Sequence, residues 1–224
     1  MSESKTEPAW KAAQTRDWVA YYERVAGGEP RQTLLDALDR FEGEGGRSEP
    51  PLAIDLGCGD GRDTAELLRR GWRVVAIDAH PEGLRRLRVR TDAPVREAIE
   101  DGRLRIVQAS FEDCELPACD LLNASFSLPF CPPEHFAGLW AQICASVREG
   151  GRFCGQLFGD RDSWSVIEDR THHARDDAIA LFRDFLLEQF CEEERDGEDA
   201  QSNHKHWHVY HIVARRRADD GSES

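Results

Sequence analysis

Residues 52–62 read Leu52-Ala53-Ile54-Asp55-Leu56-Gly57-Cys58-Gly59-Asp60-Gly61-Arg62. Leu52 to Leu56 is a short apolar run suited to a buried strand. Asp60 to Arg70 follows with helical spacing, and Gly71 stops it. Glycines at a strand-to-helix turn let a ligand approach the backbone, and the helix N-terminus favours negative groups. A dinucleotide fingerprint needs a third glycine where this chain has Arg62. The pattern present is D-x-G-x-G-x-G.

Outward from this loop, strands and helices alternate. Arg73 to Asp78 reads as a second buried strand, and Pro81 opens a helix reaching Arg90. A shorter helix spans Pro94 to Glu100. Leu104 to Gln108, Asp120 to Ala124 and Arg152 to Phe158 supply three more strands. Between the last two, Pro132-Pro133 opens an amphipathic helix with Phe136, Leu139, Trp140, Ile143 and Val147 on one face. Such alternation predicts a parallel sheet with helices on both faces. Thr171 to Phe185 reads as one further helix. Leu186–Glu194 and His206–Ala214 read as a closing hairpin across a charged turn near Asp196 to Gln201. Ahead of the loop, Trp10 to Val25 and Arg31 to Phe41 read as helices, with Gly43 to Pro51 a loop. The expected organisation is an N-terminal helical cap over 1–45, a core over 46–215 and a frayed tail over 216–224.

The 224 residues carry 29 Lys and Arg against 43 Asp and Glu, a net charge of −14, which argues against a phosphate backbone or an anionic membrane as partner. The basic run Arg85 to Arg90 recurs at helical spacing and reads as a solvated helix face. No apolar run approaches the ~20 residues of a membrane helix. Met1 to Glu7 is polar, so no secretory signal is expected there. Seven cysteines without a CxxC pair suggest free thiols in a reducing cytoplasm rather than a disulfide frame or a zinc site.

Asp78 ends the second strand, at the sheet edge where open α/β sheets bind ligands. A carboxylate there can accept hydrogen bonds from both hydroxyls of a ribose, each contributing about 1.5–3 kcal/mol. It also suits a helix cap ahead of Pro81. The stretch Asp55 to Asp63, with Val75-Ala76-Ile77-Asp78, resembles the class I S-adenosylmethionine-dependent methyltransferases of small-molecule type, distantly those of tellurite-resistance type. Ser110-Phe111-Glu112, Asn123-Ala124-Ser125-Phe126 and the closing hairpin resemble them more weakly. The resemblance spans about residues 15 to 215.

The resemblance implies a Rossmann-like, mostly parallel seven-stranded sheet of order 3-2-1-4-5-7-6, strand 7 antiparallel. It implies S-adenosylmethionine as cofactor and S-adenosylhomocysteine as product. By position, Asp55, Gly57, Cys58, Gly59 and Gly61 would surround the methionine part. Asp78, with Ala79 beside it, would hold the ribose, and Ser110 and Phe111 would lie by the adenine. Asn123 and Ala124 would sit near the sulfonium. Tyr22 and Arg31 of the cap would close over the nucleoside or its carboxylate, and Arg62 would pair with that carboxylate or with Asp63. The segment after the fourth strand lacks the Asn/Asp-Pro-Pro-Tyr/Phe signature of enzymes that methylate amino groups of bases, which again disfavours nucleic acid. No acidic cluster of the catechol-methylating kind is present.

A protonated acceptor would need a base. His172 and His173, after the fifth strand, are candidates with Asp160 and His135. A thiolate or chalcogen oxyanion would need little help. His204, His206 and His208 share one strand face, where packing is the ordinary use and no metal is expected. The expected partner is a small-molecule acceptor, with the chain a monomer or homodimer. Two other uses of the loop stay open: a non-catalytic S-adenosylmethionine-binding module, and a nicotinamide-dependent oxidoreductase.

Overall fold

The computed structural model describes residues 17–45, 49–200 and 202–218. The expected helix from Trp10 is therefore seen only from Trp18. Its first turns and residues 219–224 of the tail lie outside the described residues.

Two cap helices, α1 (Trp18–Val25) and α2 (Gln32–Gly43), precede the sheet. There follow β1 (Leu52–Leu56), α3 (Arg62–Arg69), β2 (Arg73–Asp78), α4 (Pro81–Arg88), α5 (Ala93–Glu100), β3 (Leu104–Gln108) and β4 (Cys119–Ala124). The second half holds α6 (Pro133–Ser146), β5 (Val147–Gly159), β6 (His172–His173), α7 (Arg175–Leu181), β7 (Phe185–Glu198) and β8 (His204–Arg216). The strand order is β3-β2-β1-β4-β5-β8-β7, with β8 antiparallel to both neighbours and the short β6 beside β5. This is the mostly parallel, Rossmann-like sheet expected, with one short strand added.

Period-two alternation builds a core on each face. Ala53, Val74, Ala76, Leu121 and Cys154 pack with Leu34, Leu38, Leu67, Leu84, Leu87 and Val95 from α2 to α5. Ile54, Leu56, Val75, Ile77, Leu122 and Phe153 point the other way, onto Phe136, Leu139, Trp140 and Ile143 of α6 and Phe182 after α7. Arg152 is buried in the centre of the sheet. Glu188 and Glu44 accept from its guanidinium, which lies 4.5 Å from the Phe41 ring centroid. Burying a charge requires this kind of pairing.

Two sequence expectations need correction. Thr171 to Phe185 is not one helix. His172 and His173 pair in parallel with Phe158 and Gly159, and the helix begins only at Arg175. Tertiary partners claim the backbone there: Thr171 N–H donates to Pro129 O, and Asp160 N–H to His173 O. The hairpin is also longer than read. Its strands run to Glu198 and from His204, because charges that looked like a turn pair across the ladder, as His206 does with Asp196 and Glu194.

Candidate active site

The β1–α3 loop folds onto the end of β2: Gly57 and Cys58 N–H both donate to Ile77 O. Gly57 has φ of +76°, and a Cβ there would lie 2.2 Å from Ser127 Cβ. Its left-handed conformation and this close approach both require glycine. Ser127 Oγ donates to Leu56 O at 2.6 Å, tying the β4 exit loop to β1. Gly61 caps α3, where a Cβ would lie 2.3 Å from Leu87 Cδ1. Its role is the close approach of α3 to α4, and it does not line the cavity.

A cavity of about 210 Å³ opens at the carboxyl ends of β1, β2 and β4. Tyr22, Asp55, Gly57, Cys58, Gly59, Asp78, Ala79, Ser110 and Phe111 line it, as do Arg62 and Asp63. Asp78 accepts from Gly59 N–H at 2.8 Å and His80 N–H at 2.7 Å, and the Tyr22 hydroxyl also bonds to it. Burial pushes its carboxyl above the usual range despite these donors. Burial, with Asp78 beside it, raises the Tyr22 phenol. Asp55 is buried at the floor, accepting from Thr64 Oγ1 and Asn123 Nδ2. Burial first, and then the nearby Asp63, push its carboxyl up. Cys58 is buried and its thiol is raised, so it is inert as a nucleophile at neutral pH.

Asn123 and Ala124 do not line the cavity, which corrects the expectation for them. Both lie within β4 and are fully buried. Asn123 Nδ2 donates to Asp55 and Asp63 and so holds two acids together. The wall after β4 is instead Ser125, Phe126 and Ser127. Phe126 has φ of +51°, which a bulky side chain rarely adopts. Its N–H is held by Gln156 Oε1, which in turn donates through Nε2 to Thr33 Oγ1.

Phe126 also faces a second cavity, of about 270 Å³. The two cavities share Trp18, Tyr21, Val25, Phe126 and Phe130. Arg31, Phe158, Trp164, Arg170 and Trp207 line the second cavity alone. Arg31 was expected at the cofactor. The structure places it in this second wall, its guanidinium 4.5 Å from the Phe126 ring centroid.

The base candidates lie elsewhere. His172, His173, His135 and Asp160 line neither cavity. His172 and His173 are held in β6, and the His173 ring packs 4.8 Å from that of Phe136. Burial lowers both, His173 to about 4. The folded chain therefore keeps His173 neutral where the unfolded chain would charge it. Stability falls as pH drops from about 6.5 toward 4, by up to about 2 kcal/mol at pH 5 from this residue. The expected result for His173→Leu is a shallower loss of denaturant midpoint between pH 7 and pH 5. An unchanged slope would exclude His173 as a source of it.

Of the three strand histidines, His208 lies with Glu192 and Glu194, ligand atoms within 4.8 Å of one another. Arg161 already bridges both glutamates, so this is an ion-pair network. Sequence reading missed the second cavity because its walls come from α1, strands β5, β7 and β8, and several loops far apart in the chain. Only the aromatic content of 126–130 and 164–207 hinted at it.

Residues 53–151 match the model of the methyltransferase domain family, and the sheet order is Rossmann-like. Carboxy-S-adenosyl-L-methionine synthase of Shewanella oneidensis is 26% identical over 145 residues, covering 61% of this chain and 56% of its own. The synthase of Vibrio parahaemolyticus is 28% identical over 101 residues, covering 43% and 40%. The chain thus spans about half the length of these curated relatives. The fold is shared with TehB from Haemophilus influenzae, with TM-score 0.68, 14% identity, and 88% of this chain and 66% of that one covered. It is shared too with the Burkholderia thailandensis 1,6-didemethyltoxoflavin-N1-methyltransferase bound to 1,6-didemethyltoxoflavin and S-adenosylhomocysteine. There the TM-score is 0.60 at 20% identity, covering 97% and 94%. Among the described residues, no helix is long and apolar enough to cross a membrane.

Proposed function

We propose that the chain transfers a methyl group from S-adenosylmethionine to a small-molecule acceptor. The observation that carries this reading is a glycine-loop cavity with a half-buried carboxylate at the β2 end, opening through an aromatic neck into a second cavity. The Burkholderia methyltransferase holds acceptor and S-adenosylhomocysteine together, which supports an arrangement of two adjoining sites. Asp78 would accept from the ribose hydroxyls, taking over the place of the Tyr22 donor. Ser110 and Phe111 would flank the adenine. Asp63 and Arg62 would face the methionine amine and carboxylate, while buried Asp55 would support them from below.

A lone pair on the acceptor forms the new bond to the methyl carbon as the S–CH₃ bond breaks. Its electrons stay on sulfur, and S-adenosylhomocysteine leaves. The chain supplies alignment, which contributes roughly 7–11 kcal/mol toward such barriers, and a neck that excludes water. None of the three histidine candidates, nor Asp160, lines either cavity, so the acceptor would enter with its lone pair free, any proton having left to solvent before binding. A cytoplasmic location, in keeping with seven free thiols, and a non-nucleic-acid acceptor belong to the same proposal.

Calorimetric titration of S-adenosylmethionine, S-adenosylhomocysteine and NADH tests the cofactor half. Micromolar binding of the first two alone is expected. Binding of NADH alone would instead support an oxidoreductase.

A further inference from the structure

We propose that the second cavity takes a flat aromatic acceptor bearing a carboxylate or similar acidic group, held by Arg31. This rests on the methyltransferase reading and names the acceptor class for it.

The shape of the cavity argues for flatness. Trp18, Phe126, Phe130, Phe158, Trp164 and Trp207 form its walls. Their rings contact one another edge-on or tilted, as in Trp18–Phe130 at 5.0 Å and Trp164–Trp207 at 5.9 Å. Rings fixed in this way offer π-faces and edges to a planar guest, with little entropy left to lose. A buried ion pair stiffens the far wall: Lys205 Nζ bonds to Asp162 and lies 3.9 Å from the Trp164 ring centroid and 4.4 Å from that of Trp207.

The sign of the charge follows from which charged groups are already satisfied. Glu193 accepts from Arg195 and from His211. Asp17 caps α1 through Ala20 N–H, and Asp199 accepts from Asn203. Arg170 pairs with Asp169. Arg31 differs. Among the described residues its guanidinium makes no ion pair, its Nε is buried without a hydrogen-bond partner, and Tyr21 is its side-chain bonding partner. Asp63 accepts from its backbone N–H, not from its side chain, and also serves Asn123. The neighbouring Arg62 is a like charge; its Nε makes no hydrogen bond and lies 3.8 Å from Asp63 Oδ1. A half-buried cation without an ion-pair partner favours an anion beside it.

The two arginines divide between the cavities. Arg62 lines only the first and Arg31 only the second. One anion belongs to each: the cofactor carboxylate to Arg62 and the acceptor's acidic group to Arg31. An arginine fork suits a carboxylate bidentately.

The test uses the full chain saturated with S-adenosylhomocysteine, titrated with naphthoate, naphthamide and decalin carboxylate. Naphthoate is expected to bind about tenfold or more tighter than the amide, the margin of a charge-assisted pair, and tighter than the non-planar acid. Arg31→Gln should remove the preference for acid over amide and leave S-adenosylhomocysteine affinity near that of the parent. Arg31→Lys should keep much of the preference, and Arg62→Gln should weaken S-adenosylhomocysteine instead. Naphthamide binding as tightly as naphthoate to the parent chain would overturn the proposal without recourse to any variant. So would a preference that survives in Arg31→Gln. Failure of S-adenosylhomocysteine to bind at all would bring down the methyltransferase reading, and this one with it.

Discussion

Asp78→Asn is expected to weaken S-adenosylmethionine and S-adenosylhomocysteine by about 30-fold to several hundredfold, while the fold survives. The carboxylate stands at the end of β2 with two backbone donors already on it. Hydrogen bonds to a charged acceptor contribute about 1.5–3 kcal/mol each, and an amide of the same shape keeps one weaker acceptor and adds a mismatched donor. Losing about 2–4 kcal/mol corresponds to that range of affinity. The retained carbonyl can still serve one of the two N–H groups, so the melting temperature should move little. A pH signature accompanies it. Burial raises the Asp78 carboxyl, and only its charged form accepts from both hydroxyls. Affinity in the parent chain should therefore fall as pH drops through that raised value, and Asp78→Asn should lack the fall. Equal affinity of parent and variant for S-adenosylhomocysteine would remove Asp78 from the cofactor site.

Gly57→Ala is expected to cost about 2–4 kcal/mol of stability and most of the cofactor affinity. Alanine at φ of +76° is strained, and its Cβ would sit 2.2 Å from Ser127 Cβ. Left-handed strain costs about 1–3 kcal/mol and overpacking a similar amount. The β4 exit loop must move away from β1, and it carries Phe126, shared by both cavities. Gly57→Ala with Ser127→Gly removes the colliding Cβ. The pair should recover part of the stability, less the Ser127–Leu56 bond. Denaturant melts of the four proteins in this cycle measure it. Additive losses with no recovery would show that the close approach is not what demands glycine.

Much of the architecture was legible because local signals agreed. Leu52–Leu56 and Arg73–Asp78 are too apolar and too short to be surface helices, and each leads through a turn into a helix. Their order along the chain, with right-handed crossovers, leaves few sheets to choose from. His172 and His173 were misread because nothing local marks them as a strand. They become one only through β5 and the carbonyls of Pro129 and Cys131, which fix Thr171. Asn123 was misplaced for a related reason. A polar residue at a strand end looks like a ligand contact, and only the assembled sheet shows it spent on Asp55 and Asp63. Arg31 sits beside a helix start that sequence could place, but the cavity it faces needs Phe126, Trp164 and Trp207 from distant segments.

A crystal structure of the chain with S-adenosylhomocysteine tests the central claim most directly. The account predicts the ribose hydroxyls on Asp78, the carboxylate on Arg62, and the sulfur at the Phe126 neck facing the aromatic cavity. A ligand whose sulfur points away from that neck, or whose ribose avoids Asp78, would contradict it.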